Sequence, residues 1–81
     1  MQSPERTKLI GQRLRQVRNE QGLTLDQLSE RTGGALLKAR MSNYEQGIRR
    51  MGLEEAETLA KVLKVSPVWL LAIDDASWRS A

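Results

Sequence analysis

The feature that most constrains this fold is an amphipathic pattern near the middle of the chain. Four apolar residues recur there at the spacing of one face of an α-helix, namely Leu37, Met41, Tyr44 and Ile48. This spacing predicts a short helix that buries all four side chains. A second short helix is predicted before it, from Thr24 to Thr32, with a turn between the two. Two short helices joined in this way are typical of a helix-turn-helix.

The opposite face of the central helix carries short polar and cationic side chains with almost no carboxylates. Its members are Lys38, Ala39, Arg40, Ser42, Asn43 and Gln46. Amides and hydroxyls can hydrogen-bond base edges in the major groove of DNA, and cations can contact guanine or phosphate. The pattern therefore favours a helix that reads DNA.

Composition excludes several other classes of protein. The 81 residues suffice for one domain with a single core, and the sequence contains neither cysteine nor histidine. The usual ligands of transition metals and the commonest general base are therefore missing. No pair of acids, nucleophile with its base, or phosphate-cradling loop stands at a meaningful spacing. We expect no enzyme, no metal and no cofactor.

The charge of the chain is unevenly distributed although its net value is only +3. Residues 1–50 contain ten Lys or Arg against five Asp or Glu, whereas residues 51–81 contain three against five. A basic first half suits a phosphate backbone, but charge alone does not distinguish this from a surface that keeps a small domain soluble. No apolar run is long enough to span a membrane and no signal peptide is present, so we expect a cytoplasmic, nucleoid-associated protein.

The first helix is predicted to start near Pro4 or Glu5 and to end at Gly22, with a core stripe of Ile10, Leu14 and Val17. Thr24 and Gln27 have the spacing of a capping box at the start of the second helix. Gly33 and Gly34 end that helix, and we expect the next residues, Ala35, Leu36 and Leu37, to pack the turn against it.

After the central helix, Gly47 should stop the helix and Ile48 should return to the core. A fourth helix is predicted over Leu53–Leu63, with its buried face formed by Leu53, Ala56, Leu59, Ala60 and Leu63. Ser66 and Pro67 predict the start of a fifth. That helix is unusually apolar, so it is either the lid of the core or part of a self-association surface that includes Trp69, Ile73 and Trp78.

Several segments in this order carry a family resemblance. They are Gly22-Leu23-Thr24, Leu28, Met41-Ser42-Asn43-Tyr44-Glu45-Gln46-Gly47, Leu59-Ala60-Lys61-Val62-Leu63 and Ser66-Pro67-Val68-Trp69-Leu70-Leu71. Over roughly Ile10 to Ile73 the chain resembles the lambda repressor/Cro-like helix-turn-helix family, also called the XRE family. The resemblance implies a compact all-α domain of five helices over residues 1–81, with a core from about 5 to 73 between an N-terminal arm and a C-terminal tail. Helices 2 and 3 would read double-stranded DNA, in a homodimer on a two-fold symmetric operator.

The resemblance also implies roles for individual residues. Relatives often pair an arginine late in helix 1 with the glutamate that ends the reading helix, and Arg18 and Glu45 occupy these positions. The implied base contacts are Lys38, Ala39, Ser42 and Asn43. The candidate phosphate contacts are Arg18, Thr24, Arg40, Gln46, Arg49 and Arg50. For Lys38, a non-specific phosphate contact is nearly as well supported as base reading.

Three features depart from the family pattern. Gly33 and Gly34 make the turn about two residues longer than usual, Leu25 replaces a glutamine that often contacts phosphate, and Leu37 stands where a Ser or Thr usually caps the reading helix. The sequence leaves two functions open. The first is a transcriptional regulator, expected to be a bacterial or phage repressor. The second is an antitoxin-like or adaptor module that binds a protein through helix 5 and the C-terminal tail.

Overall fold

The computed structural model describes residues 4–73, which form five α-helices joined by short connections. The helices are α1 (Pro4–Glu20), α2 (Leu25–Arg31), α3 (Lys38–Glu45), α4 (Leu53–Leu63) and α5 (Pro67–Leu70). The predicted all-α class and the number of helices are confirmed, and residues 4–73 contain no strand. Across the same residues, no helix combines the length and the apolar character that a membrane crossing requires.

The helix starts follow the local signals in the sequence. Thr24 Oγ1 accepts a hydrogen bond from the Gln27 N–H at 3.1 Å, and the Gln27 side chain accepts one from the Thr24 N–H at 2.9 Å. This is the predicted capping box, which satisfies two N–H groups that a helix start leaves unpaired. At α5, Ser66 Oγ accepts from the N–H groups of Val68 and Trp69, ahead of a chain that Pro67 holds in helical geometry.

The core lies between α1, α3, α4 and the connections that join them. Its fully buried members include Ile10, Leu14, Leu28, Met41, Tyr44, Met51, Leu59, Leu63 and Leu70. The stripes predicted for α1 and for most of α4 are thus confirmed. α3 packs on both α1 and α2, and α5 packs on α4 and α1. The helix-turn-helix is therefore supported from behind by the longest helix of the domain.

Three leucine or isoleucine side chains that the periodicity assigned to the core are exposed. Leu37 is 65% exposed, Ile48 68% and Leu53 62%. Leu37 and Ile48 lie outside α3, so helical spacing does not apply to them. The backbone is extended at Leu37, and Gly47 with its positive φ of 73° turns the chain away before Ile48. Leu53 is the first residue of α4, at the edge of its apolar face.

Neighbouring residues occupy the core instead. Leu36 is 4% exposed and Met51 1% exposed, so each replaces an exposed residue that lies one or three positions away in the sequence. The prediction that Ala35, Leu36 and Leu37 all pack the turn against α2 is correct only for Leu36. The other two side chains face solvent.

The connection between α2 and α3 is held by side-chain hydrogen bonds to the backbone. Ser29 Oγ donates to the Leu36 carbonyl at 2.8 Å, and Thr32 Oγ1 donates to the Ser29 carbonyl at 2.7 Å and accepts from the Leu36 N–H at 3.2 Å. Gly33 and Gly34 both adopt positive φ, at 68° and 82°, which other residues rarely do. The two glycines thus form a defined turn that delivers Leu36 to the core.

Candidate nucleic-acid interface

The exposed face of α3 is built as the sequence predicted. Met41 and Tyr44 point into the core and hold the helix against α1 and α2. On the other side Lys38, Ala39, Arg40 and Gln46 are exposed, while Ser42 and Asn43 are half-buried. None of the four predicted base-contacting side chains is packed inside the protein.

An open cleft of about 450 Å³ lies between α3 and the turn that precedes it. Its lining residues are Gly34, Ala35, Leu37, Ala39, Arg40, Asn43 and Arg49. Two predicted base contacts, Ala39 and Asn43, thus share one concavity with two predicted phosphate contacts, Arg40 and Arg49. Leu37 also lies there, although the sequence analysis had placed it in the core.

Lys38 stands at the start of α3 beside Asp26 of α2. Its Nζ is 3.7 Å from the Asp26 carboxylate, and both side chains are largely exposed. A pair this exposed contributes little to stability because water screens it. Its effect is to hold the ammonium near the start of α2, where it can exchange Asp26 for another anion. Asp26 was not predicted as a partner of Lys38 from the sequence.

Ser42 and Gln46 interact one helical turn apart. Gln46 Nε2 donates to Ser42 Oγ at 2.7 Å, so the amide restricts the rotamer of the serine while the serine O–H can still donate. Gln46, predicted as a phosphate contact, thereby also orients a predicted base contact. Residues four apart on a helix are neighbours on its surface, so the spacing of Ser42 and Gln46 is the sequence signal by which this pair could have been found.

The Arg18–Glu45 ion pair is present and bidentate. Arg18 Nε and a terminal nitrogen donate to the two Glu45 carboxylate oxygens at 2.7 and 2.8 Å, and the other terminal nitrogen donates to the Leu23 carbonyl at 2.8 Å. The side chains are only 12% and 6% exposed. The hydrogen bond to Glu45 raises the pKa of Arg18 above its ordinary value, while burial opposes this. The pair joins α1 to the end of α3 and to the start of the helix-turn-helix.

This geometry gives Arg18 a structural role, and its contact with phosphate stays a prediction. Arg15, one turn earlier in α1, is 67% exposed and its Nε lies 4.0 Å from the Glu45 carboxylate. Arg15 therefore places a largely exposed cation beside the end of α3. Arg15 was not among the phosphate contacts predicted from the sequence, although it is three residues from Arg18 and so shares a helix face with it.

The remaining predicted phosphate contacts lie at the edges of the helix-turn-helix. Thr24 is exposed at the start of α2, where its backbone N–H is already used by Gln27. Arg49 is exposed and Arg50 is half-buried in the connection after α3. Leu25, which replaces a family glutamine, is partly buried against the core. The first turn of α2 thus offers phosphate the Thr24 hydroxyl, whereas its glutamine, Gln27, is already bonded to Thr24 in the capping box.

Tyr44 lies beneath the exposed face of α3 and supports it from the core. Its side chain is buried, which raises the pKa of its hydroxyl above the ordinary value. Glu55 raises this pKa further, whereas Arg40 and Arg49 lower it. The tyrosine is therefore neutral at physiological pH, and its ring packs in the core and holds α3 against it.

Two of the three predicted self-association residues, Trp69 and Ile73, lie in the described part of the chain. Trp69 is half-buried, with the Arg13 guanidinium 5.2 Å from its ring centroid and bonded to its carbonyl oxygen, while Arg6 donates to the Ala72 carbonyl at 3.0 Å. Leu70 and Ala72 complete the core, and Ile73 is exposed. α5 is thus a lid with an exposed margin, and Trp78 lies outside the described residues.

Within residues 4–73, no three acidic, cysteine or histidine residues are grouped as a metal site would need. A family model described as "Helix-turn-helix" matches residues 14–70. No curated protein matches the chain, and no solved structure does.

Proposed function

Because the chain belongs to the helix-turn-helix family of the XRE, or lambda repressor-like, type, whose domains bind DNA, we propose that it is a sequence-specific transcriptional repressor. It would bind a two-fold symmetric operator as a homodimer, in the cytoplasm at the nucleoid. It would occupy the operator without catalysing a reaction and without a cofactor.

One observation carries the proposal, namely the exposed face of α3. Between Lys38 and Tyr44 that face contains cations, a hydroxyl and an amide but no carboxylate. Glu45, the acid that follows, is bound by Arg18 and nearly buried. A phosphate backbone approaching α3 therefore meets exposed positive charge, and its negative charge is not opposed by a free acid on the helix.

Individual contacts follow from the chemistry of the side chains. Asn43 can form two hydrogen bonds with adenine, and Lys38 can donate to guanine, each pairing discriminating by about 1–3 kcal/mol against a wrong base. Ala39 permits close approach or contacts a thymine methyl, and Ser42 bonds whichever base edge it faces. The phosphate contacts would be made by the side chains at the margin: Arg18, Thr24, Arg40, Gln46, Arg49, Arg50 and, from the structure, Arg15.

Selection of bound duplexes from a random pool tests this function. We expect a symmetric consensus with half-site centres about 34 Å apart, and binding that falls steeply with salt. The double variant Lys38→Ala/Asn43→Ala should lose most of its preference for the consensus. Its matched control is Gln16→Ala/Lys61→Ala, which removes one amide and one cation from exposed positions away from α3. Recovery of no consensus at low salt would overturn the proposal.

The second candidate is a protein-interaction module of the antitoxin or adaptor kind. Its support is the exposed margin of α5, where Val68 and Ile73 are large apolar residues in solvent. The same margin is our candidate for the dimer interface, with Trp69 and Trp78. If Ile73→Asp abolishes dimerisation and weakens operator binding, the margin serves the repressor. DNA binding that is unchanged by the α3 double variant would favour the interaction module instead.

A further inference from the structure

Leu37 serves neither the core nor the start of α3. The core position that its apolar character suggested is filled by Leu36, and Leu37 is 65% exposed. It is the N-cap residue of α3, yet its side chain makes no capping hydrogen bond. Ser, Thr, Asn or Asp at this position would stabilise the helix more. The fold therefore gives no reason for a large aliphatic side chain here.

The position of Leu37 relative to the reading face supplies a reason. Leu37 lines the cleft together with two other apolar residues, Ala35 and Ala39, and we call these three lining residues the apolar wall. Asn43, Arg40 and Arg49 line the same cleft with an amide and two guanidinium groups. A ligand that fits this cleft has a small apolar group, hydrogen-bonding groups and negative charge close together.

A nucleotide of double-stranded DNA combines these three properties in the major groove. Thymine is the base that presents a methyl group there, at C5, beside a hydrogen-bonding O4 and near the phosphates of its own strand. An exposed aliphatic side chain at the entrance of the reading helix can bury that methyl group. Guanine, adenine and cytosine present no comparable apolar surface at this groove edge.

We propose that Leu37 is a specificity-determining residue that contacts the C5-methyl group of a thymine in each half-site. The proposal rests on the DNA-reading function given above and adds a preference that the polar residues of α3 do not supply. It also assigns a role to the apolar wall formed with Ala35 and Ala39. The preference requires the methyl group itself, in addition to the hydrogen bonds of the base.

Replacing thymine by uracil in the selected duplex tests the proposal, because uracil retains O4 and N3 and lacks only the methyl group. Each thymine of a half-site is replaced in turn, and the Kd is measured for the native chain and for Leu37→Ala. At one position, uracil should weaken the native chain about fourfold, the effect of one buried methyl-sized group. Leu37→Ala should bind the thymine and uracil duplexes at that position with equal affinity.

Ile48→Ala is the matched control, because Ile48 is equally exposed but lies beyond the other end of α3 and outside the cleft. This variant should keep the full difference between thymine and uracil. The proposal is overturned if no thymine is sensitive to loss of its methyl group, or if every methyl-sensitive position keeps its full sensitivity in Leu37→Ala. A thymine contacted by Ala39 alone would stay sensitive in both chains. These results differ from a failure of the proposed function, in which no consensus duplex is recovered for the test.

Discussion

Gly11 of α1 lies directly against the backbone carbonyl of Tyr44 in α3. A Cβ atom on residue 11 would overlap the Tyr44 carbonyl oxygen and would lie 3.0 Å and 3.1 Å from the carbonyl carbons of Tyr44 and Glu45. The obstacle is backbone, so no side-chain rotation relieves it. This contact sets how closely α3 approaches α1, the helix that supports it.

Gly11→Ala should therefore destabilise the domain strongly. Alanine favours the helical backbone of α1, but its methyl group would force α1 and α3 apart and loosen the core between them. We expect a loss of about 3 kcal/mol in the free energy of unfolding, at the upper end of what overpacking usually costs. Urea unfolding measures the loss. Gln12→Ala, at the adjacent exposed position, should change stability by less than about 0.5 kcal/mol, and a similar small change in Gly11→Ala would contradict the close contact.

Removing Arg18 should destabilise the fold by leaving Glu45 buried without its partner. Arg18→Ala breaks two charge-assisted hydrogen bonds to Glu45 and one bond to the Leu23 carbonyl. We expect a loss of about 3 kcal/mol, at the lower end for breaking a buried ion pair because the pair is not fully enclosed. Unfolding by urea gives the number.

Arg15→Ala is the control for that change, because Arg15 is the other arginine near Glu45 and is largely exposed. Its removal should cost less than about 1 kcal/mol, as for other exposed pairs. Its effect on DNA affinity should instead depend on salt, reducing the salt slope by about one unit. Equal stability losses for the two arginines would refute the structural role of Arg18.

Alkaline pH should unfold the domain through Tyr44, the only tyrosine in the chain. Burial raises its pKa in the folded protein above the value of about 10 in the unfolded chain. The folded state therefore holds the proton more tightly, and this contribution is complete below pH 10. It is lost as the pH rises through the higher folded-state pKa. In an alkaline titration, the absorbance of tyrosinate should appear at a higher pH than in a free peptide. It should appear together with loss of the helical circular-dichroism signal.

Tyr44→Phe supplies the comparison for this titration. It should show no tyrosinate signal, and its stability should decline less steeply between pH 10 and 12. If native Tyr44 ionises near its ordinary pKa while the helices stay intact, then the hydroxyl is not shielded as the structure describes.

Replacing Leu37 by serine should stabilise the protein while it weakens binding to DNA. Serine at the N-cap can accept a hydrogen bond from an N–H of the first turn of α3, a gain of about 0.5–1 kcal/mol. For a domain of this size the melting temperature should rise by roughly 2–8 °C. Ile48→Ser, an equally exposed substitution outside any helix start, should bring no such gain. A lower melting temperature for Leu37→Ser would show that Leu37 contributes to packing after all.

The sequence by itself determined the helices, their order and the face that α3 presents. Periodicity, capping residues and glycines act over a few neighbouring positions, so Thr24, Gln27, Gly47 and Ser66 marked helix boundaries without knowledge of the fold. The Arg18–Glu45 pair was also predictable, but through the family resemblance, since 27 residues separate the partners.

Only the tertiary structure decided which residues at the helix boundaries are buried. Leu36 or Leu37, and Ile48 or Met51, are equivalent as apolar residues, and the choice depends on how the turns direct the chain into the core. Likewise nothing in the local sequence distinguishes Gly11 from any other glycine within a helix. Its importance comes from its close contact with the backbone of Tyr44, 33 positions away in the sequence. Local patterns specify elements, whereas contacts between distant elements are set by how those elements cross.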